Sequence, residues 1–311
     1  MQQRYVGNSG LRVSALTLGT MSWAGDTDEQ DATDLLRAFV SAGGKHIDTA
    51  ASYADGRAEA MIGSLLGDVV SRTEVSIATK AGMSTSDGRR TVDTSRNALL
   101  SGLDASLARL GTDYVDIWFA QAWDANVPLE ETLSALEFAL RTGRARYAGV
   151  SNFNGWQTAK AAAVAGFPLV AAQSEYSLLQ RKAEEELIPA VEDAGLGLMA
   201  WAPLGRGVLT GKYRGNIPGD SRAAHSILAP YVEPYLAEKP SRVVEAVAMA
   251  AKGLGRTPLD VSLSWLLSQH GVATAMVGPR TPVQLKEILD AQLTPLPPEI
   301  SRALEDVSEP S

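Results

Sequence analysis

Residues 74–118 contain one complete folding unit: Glu74-Val-Ser-Ile-Ala-Thr79, then Thr94-Ser-Arg-Asn-Ala-Leu-Leu-Ser-Gly-Leu-Asp-Ala-Ser-Leu-Ala-Arg-Leu110, then Tyr114-Val-Asp-Ile-Trp118. The outer segments are short apolar runs, the form taken by strands buried on both faces. In the middle segment Leu99, Leu103, Ser106/Leu107 and Leu110 recur every three or four residues while Arg96, Asp104 and Arg109 face outward, which predicts an amphipathic helix. Gly111 reads as its stop and Asp93 as its N-cap. Strand, helix and strand in this order make a βαβ unit.

The same alternation continues in both directions. Strands are predicted at Ala15–Leu18, His46–Thr49, Glu74–Thr79, Tyr114–Trp118, Arg146–Val150, Leu169–Gln173, Leu196–Ala200 and Ala275–Val277. Amphipathic stretches lie at Glu29–Ala42, Thr94–Leu110, Leu129–Arg141 and Glu184–Asp193. Eight strands in strict βα alternation over roughly 250 residues are what a (β/α)8 TIM barrel requires. A doubly wound sheet competes, but no GxGxxG follows the first strand, and Gly7–Gly10 and Gly205–Gly207 are too sparse to supply one. Turn residues between Tyr5 and Val13 predict an N-terminal hairpin over residues 4–13. Residues 205–240 read as a long loop after strand seven, and residues 292–311 as a C-terminal tail. With no linker or composition break, the prediction is one α/β barrel over residues 1–311.

Composition narrows the chemistry. The chain has 311 residues, no cysteine and a formal charge of −8. Lack of cysteine excludes disulfides, thiol catalysis and Cys-ligated metal sites, and three histidines, His46, His225 and His270, are too few for a His-rich centre. No metal is therefore expected. No Lys/Arg block offers a stripe for nucleic-acid phosphates. The N-terminus lacks an apolar leader, and Ala161 to Ala172, the longest apolar stretch, contains Gly166 and Pro168. A cytoplasmic protein with no membrane or nucleic-acid partner is the expectation.

In a TIM barrel chemistry sits at the C-terminal ends of the strands. The reactive residues fall there: Asp48 and Tyr53 after strand two, Lys80 after strand three, Gln121 after strand four, Ser151 and Asn152 after strand five, Gln173 after strand six and Trp201 after strand seven. Among these, a phenol of pKa ~10 holds its proton near neutrality and can serve as an acid. A lysine beside it is expected to lower that pKa, and an aspartate to orient the lysine. Tyr53, Lys80 and Asp48 suit these roles. An isolated Asp–Lys pair would instead be a barrel-mouth ion pair without turnover.

From Arg4 to about Ala291 this set resembles the aldo-keto reductases. The resemblance rests on Asp48…Tyr53, Thr79-Lys80, Gly149-Val-Ser-Asn152, Gln173-Ser-Glu-Tyr176, Trp201-Ala-Pro-Leu-Gly-Arg-Gly207 with Gly211-Lys212, and Gly278-Pro-Arg280-Thr-Pro-Val-Gln284-Leu-Lys-Glu287. It implies catalytic roles for Asp48, Tyr53, Lys80 and the residue at 121. The family usually has a histidine there; Gln121 can donate a hydrogen bond but cannot titrate. The β subunits of voltage-gated potassium channels, a branch of the family with bacterial relatives, look similar: their Phe-Ala-Asn-Arg-Pro-Asp resembles Phe119-Ala-Gln-Ala-Trp-Asp124. His46 cannot stand in, because it lies deeper on its strand as a core or helix-facing residue.

The resemblance also implies NADPH/NADP+. Ser151, Asn152 and Gln173 would meet the nicotinamide carboxamide and Trp201 would stack on its ring, with Ala202, Leu204 and Gly205 beside it. Lys212 and Arg222, ten residues apart as in the channel subunits, and Arg280 would meet phosphates. Three cations in an acidic protein favour the 2′-phosphate of NADPH over NADH. Gln284 and Glu287 match adenine-ribose contacts, Gly278 lies beside them, and Thr20 and Met21 line the same side. Ile288 stands where an asparagine usually bonds the adenine. Trp23 and Trp123 are candidate substrate-pocket walls.

The leading expectation is an NADPH-dependent aldehyde or ketone reductase acting on a small-molecule carbonyl. The alternative is a slow nicotinamide-binding regulatory or sensor protein. An oxidative sugar or polyol dehydrogenase would use the same residues. Oligomeric state is left open.

Overall fold

All eight predicted strands form, and they close on one another. The structure, a computed structural model, describes residues 1–86, 89–219, 221–224 and 229–310. It opens with an antiparallel hairpin, β1 (Gln3–Tyr5) and β2 (Arg12–Ser14). Then follow β3 (Leu16–Gly19), α1 (Glu29–Ser41), β4 (His46–Asp48), α2 (Arg57–Leu65) and β5 (Ser76–Ala81). A second hairpin, β6 (Met83–Ser86) and β7 (Arg89–Val92), precedes α3 (Arg96–Leu110). Next come β8 (Val115–Ala120), α4 (Leu129–Arg141), β9 (Ala145–Ser151), α5 (Gly155–Val164), β10 (Leu169–Glu175), α6 (Leu187–Asp193) and β11 (Gly197–Trp201). The chain ends with α7 (Ala229–Val232), α8 (Glu238–Leu254), α9 (Pro258–Ser268), β12 (Val272–Val277), α10 (Pro282–Leu289) and α11 (Pro298–Val307). The closed parallel barrel runs β3-β4-β5-β8-β9-β10-β11-β12 and back to β3.

Two cores hold it. Outward-facing strand residues such as Leu18, Ile47 and Ile77 pack with Leu35, Phe39, Leu99 and Leu136 from the helices. Inside the barrel Ala78, Ile117, Phe119, Ala171, Met199 and Met276 form a separate cluster with Val6, Leu11 and Val13 from the first hairpin segment. That hairpin closes the N-terminal end of the barrel. Gly7 makes the approach possible: its φ is +53°, and a Cβ would stand 2.3 Å from the carbonyl oxygen of Gly195. No helix among the described residues is long and apolar enough to cross a membrane.

Several local readings need correction. The N-cap of α3 is Ser95, whose hydroxyl accepts from the Ala98 amide; Asp93 instead accepts from the Ser95 amide one turn earlier. Arg109 faces solvent only in part, its side chain 30% exposed. It turns inward to the fully buried Glu59 of α2, at 2.6 Å. β5 starts at Ser76 because Glu74 is taken by a capping box with Ser71. Glu184 lies outside α6, its carboxylate held by Tyr176 and Arg181. The C-terminal tail contains α11, and the long loop 205–240 contains α7 and several short turns. His225 lies outside the described residues.

Candidate active site

Strand alternation sets the centre of the mouth. β4 pairs with β5 as Ile47↔Ile77 and Asp48↔Ala78, so Asp48, Ala78 and Lys80 point into the barrel while Ile47 and Ile77 face the helices. Lys80 Nζ donates to Asp48 Oδ2 at 2.7 Å, to the Thr49 carbonyl at 2.7 Å and to Tyr53 Oη at 3.5 Å. Gln173 Nε2, arriving from β10, donates to Asp48 Oδ1 at 2.9 Å. The result is one chain, Gln173–Asp48–Lys80–Tyr53, with its first three members buried.

Burial pushes the Lys80 ammonium down, but the Asp48 carboxylate and Tyr53 together more than offset it and hold the ammonium above its usual range. Burial pushes the Tyr53 phenol up; Lys80 pulls it partly back and Asp48 pushes it up further. The net direction is opposite to the lowering expected from Lys80 alone, because burial wins. Tyr53 therefore keeps its proton at neutral pH. Below this group His46, fully buried, is pushed down to about 3 by burial and then by Lys80, and its Nδ1 meets Ser76 Oγ at 3.0 Å. It is an interior core histidine.

The loop carrying Tyr53 is strained. Ala54, Asp55 and Gly56 follow it with φ of 48°, 55° and 81°. The other non-glycine residues with positive φ among the described residues are Ala24, Asn152, Ala202 and Arg206, all in loops after barrel strands. The strained residues thus gather at one rim, the C-terminal ends of the barrel strands. Glu59 holds the strained turn down: it accepts from Thr79 Oγ1 next to Lys80 and from Arg109, which packs against Gly56.

Around this centre the predicted cofactor residues form a second network. Trp201 Nε1 donates to Asn152 Oδ1 at 3.2 Å, and Asn152 Nδ2 donates to the Gln121 carbonyl at 2.9 Å and to Ser151 Oγ at 3.1 Å. The Gln121 side-chain amide itself engages the Ser52 hydroxyl, with Nε2 donating at 2.8 Å. Arg206 lies over Trp201 and is neutralised by two bonds to Glu175, which also accepts from Tyr235. Ala202, Leu204 and Gly205 lie in the turn that follows Trp201, Gly205 being buried.

At the outer end Arg222 Nη2 donates to the Gly278 carbonyl at 3.3 Å. Its guanidinium is pushed down by burial and by nearby Arg280, which stands 3.7 Å from Asp26. Exposed Lys212 lies over the Tyr213 ring. Gln284 caps its own helix start by accepting from the Arg280 amide. Glu287 and Met21 are exposed, and Thr20 is buried with its hydroxyl on the Asp48 carbonyl. Ile288 packs in the outer core, so its side chain does not reach the surface of α10. Trp23 is fully buried and lines no open surface, whereas half-buried Trp123 packs edge-on against Phe153 and exposed Trp156. Sequence reasoning passed over Glu59 as a partner of Arg109, and over Ser52, Trp156 and Arg206; only Ser52 and Arg206 carried a signal, by lying inside quoted motifs.

The model of the Aldo/keto reductase family matches residues 15–309. The chain belongs to this family. Among curated members it is 35% identical to a protein of Bacillus subtilis described as "Uncharacterized oxidoreductase YrpG", over 99% of this chain and 96% of that one. It is 36% identical to "Probable voltage-gated potassium channel subunit beta" of Oryza sativa, over 94% and 91%. It is 35% identical to the L-glyceraldehyde 3-phosphate reductase of Escherichia coli K12, over 94% and 87%.

Proposed function

We propose that the protein is an NADPH-dependent reductase of small aldehydes or ketones, with Tyr53 as the acid. The buried chain Gln173–Asp48–Lys80–Tyr53 carries this reading. The dinucleotide that the mouth residues would hold, NADPH, would supply the hydride for the carbonyl carbon. Tyr53, protonated at neutrality, gives its proton to the carbonyl oxygen as negative charge develops there. Lys80 stabilises the phenolate left behind, and Asp48, held by Gln173, keeps Lys80 charged and in place.

The residues fit a dinucleotide. Arg222, half-buried, has a carbonyl and a neighbouring arginine beside its guanidinium, with Asp26 as a partial counter-charge, an arrangement that an anion relieves. Among the described residues the buried hydroxyls of Tyr213 and Ser221 have no hydrogen-bond partner. Lys212, Arg222 and Arg280 would hold the phosphates, and Ser151, Asn152 and Trp201 the nicotinamide.

One observation favours a second reading, a slow nicotinamide sensor: the Gln121 amide is engaged by Ser52, which leaves one N–H for a carbonyl oxygen. The test of the leading reading is Tyr53→Phe. It is expected to abolish carbonyl reduction while changing NADPH affinity by less than about twofold, since one neutral hydroxyl is lost far from the phosphates. Retained turnover would remove Tyr53 from the role of acid.

A further inference from the structure

Two arginines at the mouth, Arg206 and Arg90, have no task in the proposed chemistry. β5 and β11 stand four places apart in the eight-stranded order, so the segments leaving them face one another across the barrel's diameter. The β6–β7 hairpin leaves β5, and α7 belongs to the segment after β11. They meet over the mouth: Arg90 Nη2 donates to Tyr231 Oη at 3.1 Å, and the guanidinium lies 5.3 Å from the Tyr231 ring centroid. Tyr231 is fixed from its other side by Arg206, which donates to its carbonyl and lies 5.7 Å from its ring.

The two arginines differ in charge balance. Arg206 is answered by both oxygens of Glu175. Arg90 is exposed and meets an uncharged phenol; among the described residues it takes part in no ion pair. Its field reaches Tyr53, whose phenol it pulls down slightly. A guanidinium fork prefers a bidentate anion to a single neutral hydroxyl, so an anion would displace or join the phenol.

We propose that Arg90, positioned over the mouth by Tyr231, binds the phosphate or carboxylate of a carbonyl substrate whose reacting carbon lies at Tyr53. This rests on the reductase reading and adds the substrate class: short aldehydes or ketones bearing an anionic group.

The experiment compares two matched pairs, glyceraldehyde 3-phosphate with glyceraldehyde and succinic semialdehyde with butanal, as substrates of wild type, Arg90→Ala and Arg90→Lys. In wild type the anionic member of at least one pair has the lower KM, and added salt erodes that advantage. Arg90→Ala raises the KM of the anionic member about tenfold or more, as expected for a lost charge-assisted bond, while the neutral member and kcat stay within about threefold. Arg90→Lys recovers part of the difference. The pair that responds tells phosphate from carboxylate. Equal KM values within both wild-type pairs, or an Arg90→Ala effect shared by charged and neutral members, would overturn the proposal. So would an Arg90→Ala effect confined to NADPH affinity, which would assign the arginine to the cofactor. Failure to reduce any of these four while other aldehydes or diketones are reduced would overturn this proposal alone; failure with every carbonyl would overturn the reductase reading with it.

Discussion

Lys80 is almost completely buried, and a charge in that position survives only if its hydrogens are answered. Asp48, the Thr49 carbonyl and Tyr53 answer all three. Asp48 in turn has one oxygen on Lys80 and the other on Gln173. Asp48→Asn removes the counter-charge but little volume. We expect it to lower stability by ~3–5 kcal/mol, the usual cost of leaving one partner of a buried pair uncompensated, read as a shift of the urea midpoint at constant slope. At this scale the sequence was legible in placement: Asp48, Lys80 and Tyr53, picked out at strand ends, join one hydrogen-bonded chain, while Gln121 pairs with Ser52. It was not legible where the partner is remote. Nothing in Gln173 itself says that its amide faces a carboxylate 125 positions away.

The turn between β4 and α2 pays in strain for the placement of Tyr53. Three successive left-handed residues end in Gly56, where a Cβ would stand 2.5 Å from Arg109 Nε. Gly56→Ala is therefore expected to destabilise the protein by ~1–3 kcal/mol and to reduce turnover by displacing Arg109 from Glu59. Chemical denaturation and steady-state assay read the two effects, and Ala at the unstrained, open Gly10 is the control. Among the elements, the barrel strands were legible because their apolar runs are nearly unbroken, and α4 forms over the predicted span. The β6–β7 hairpin was not: its second strand, Arg89–Val92, is exposed throughout and has no buried face to impose a period-two pattern. Arg109 was misplaced for a related reason. Helical periodicity assigns a face, but it cannot anticipate a buried carboxylate from the neighbouring helix.

For the whole molecule, closure of the barrel buries His46 among interior residues as a neutral imidazole, with a pKa pushed down to about 3. The unfolded chain binds that proton at about 6.5. Between these values the unfolded state holds the extra proton, so stability is complete above about pH 6.5 and is lost as pH falls toward 3. From pH 6.5 to 5, before most carboxylates titrate, the unfolding free energy should fall with a slope approaching ~1.4 kcal/mol per pH unit. His46→Gln should flatten this slope, whatever it does to absolute stability. An unchanged slope would place the titrating group elsewhere.

The barrel also brings together residues from seven separated strand ends, and their joint activity is the central claim. The most direct test loads the protein with NADPH, adds a panel of reactive aldehydes and diketones, and follows nicotinamide absorbance through a single turnover. We expect wild type to oxidise its bound NADPH with at least one of these carbonyls. NADPH that binds tightly but stays reduced with all of them, while Gln121→His restores turnover, would contradict the reductase account and establish the sensor in its place.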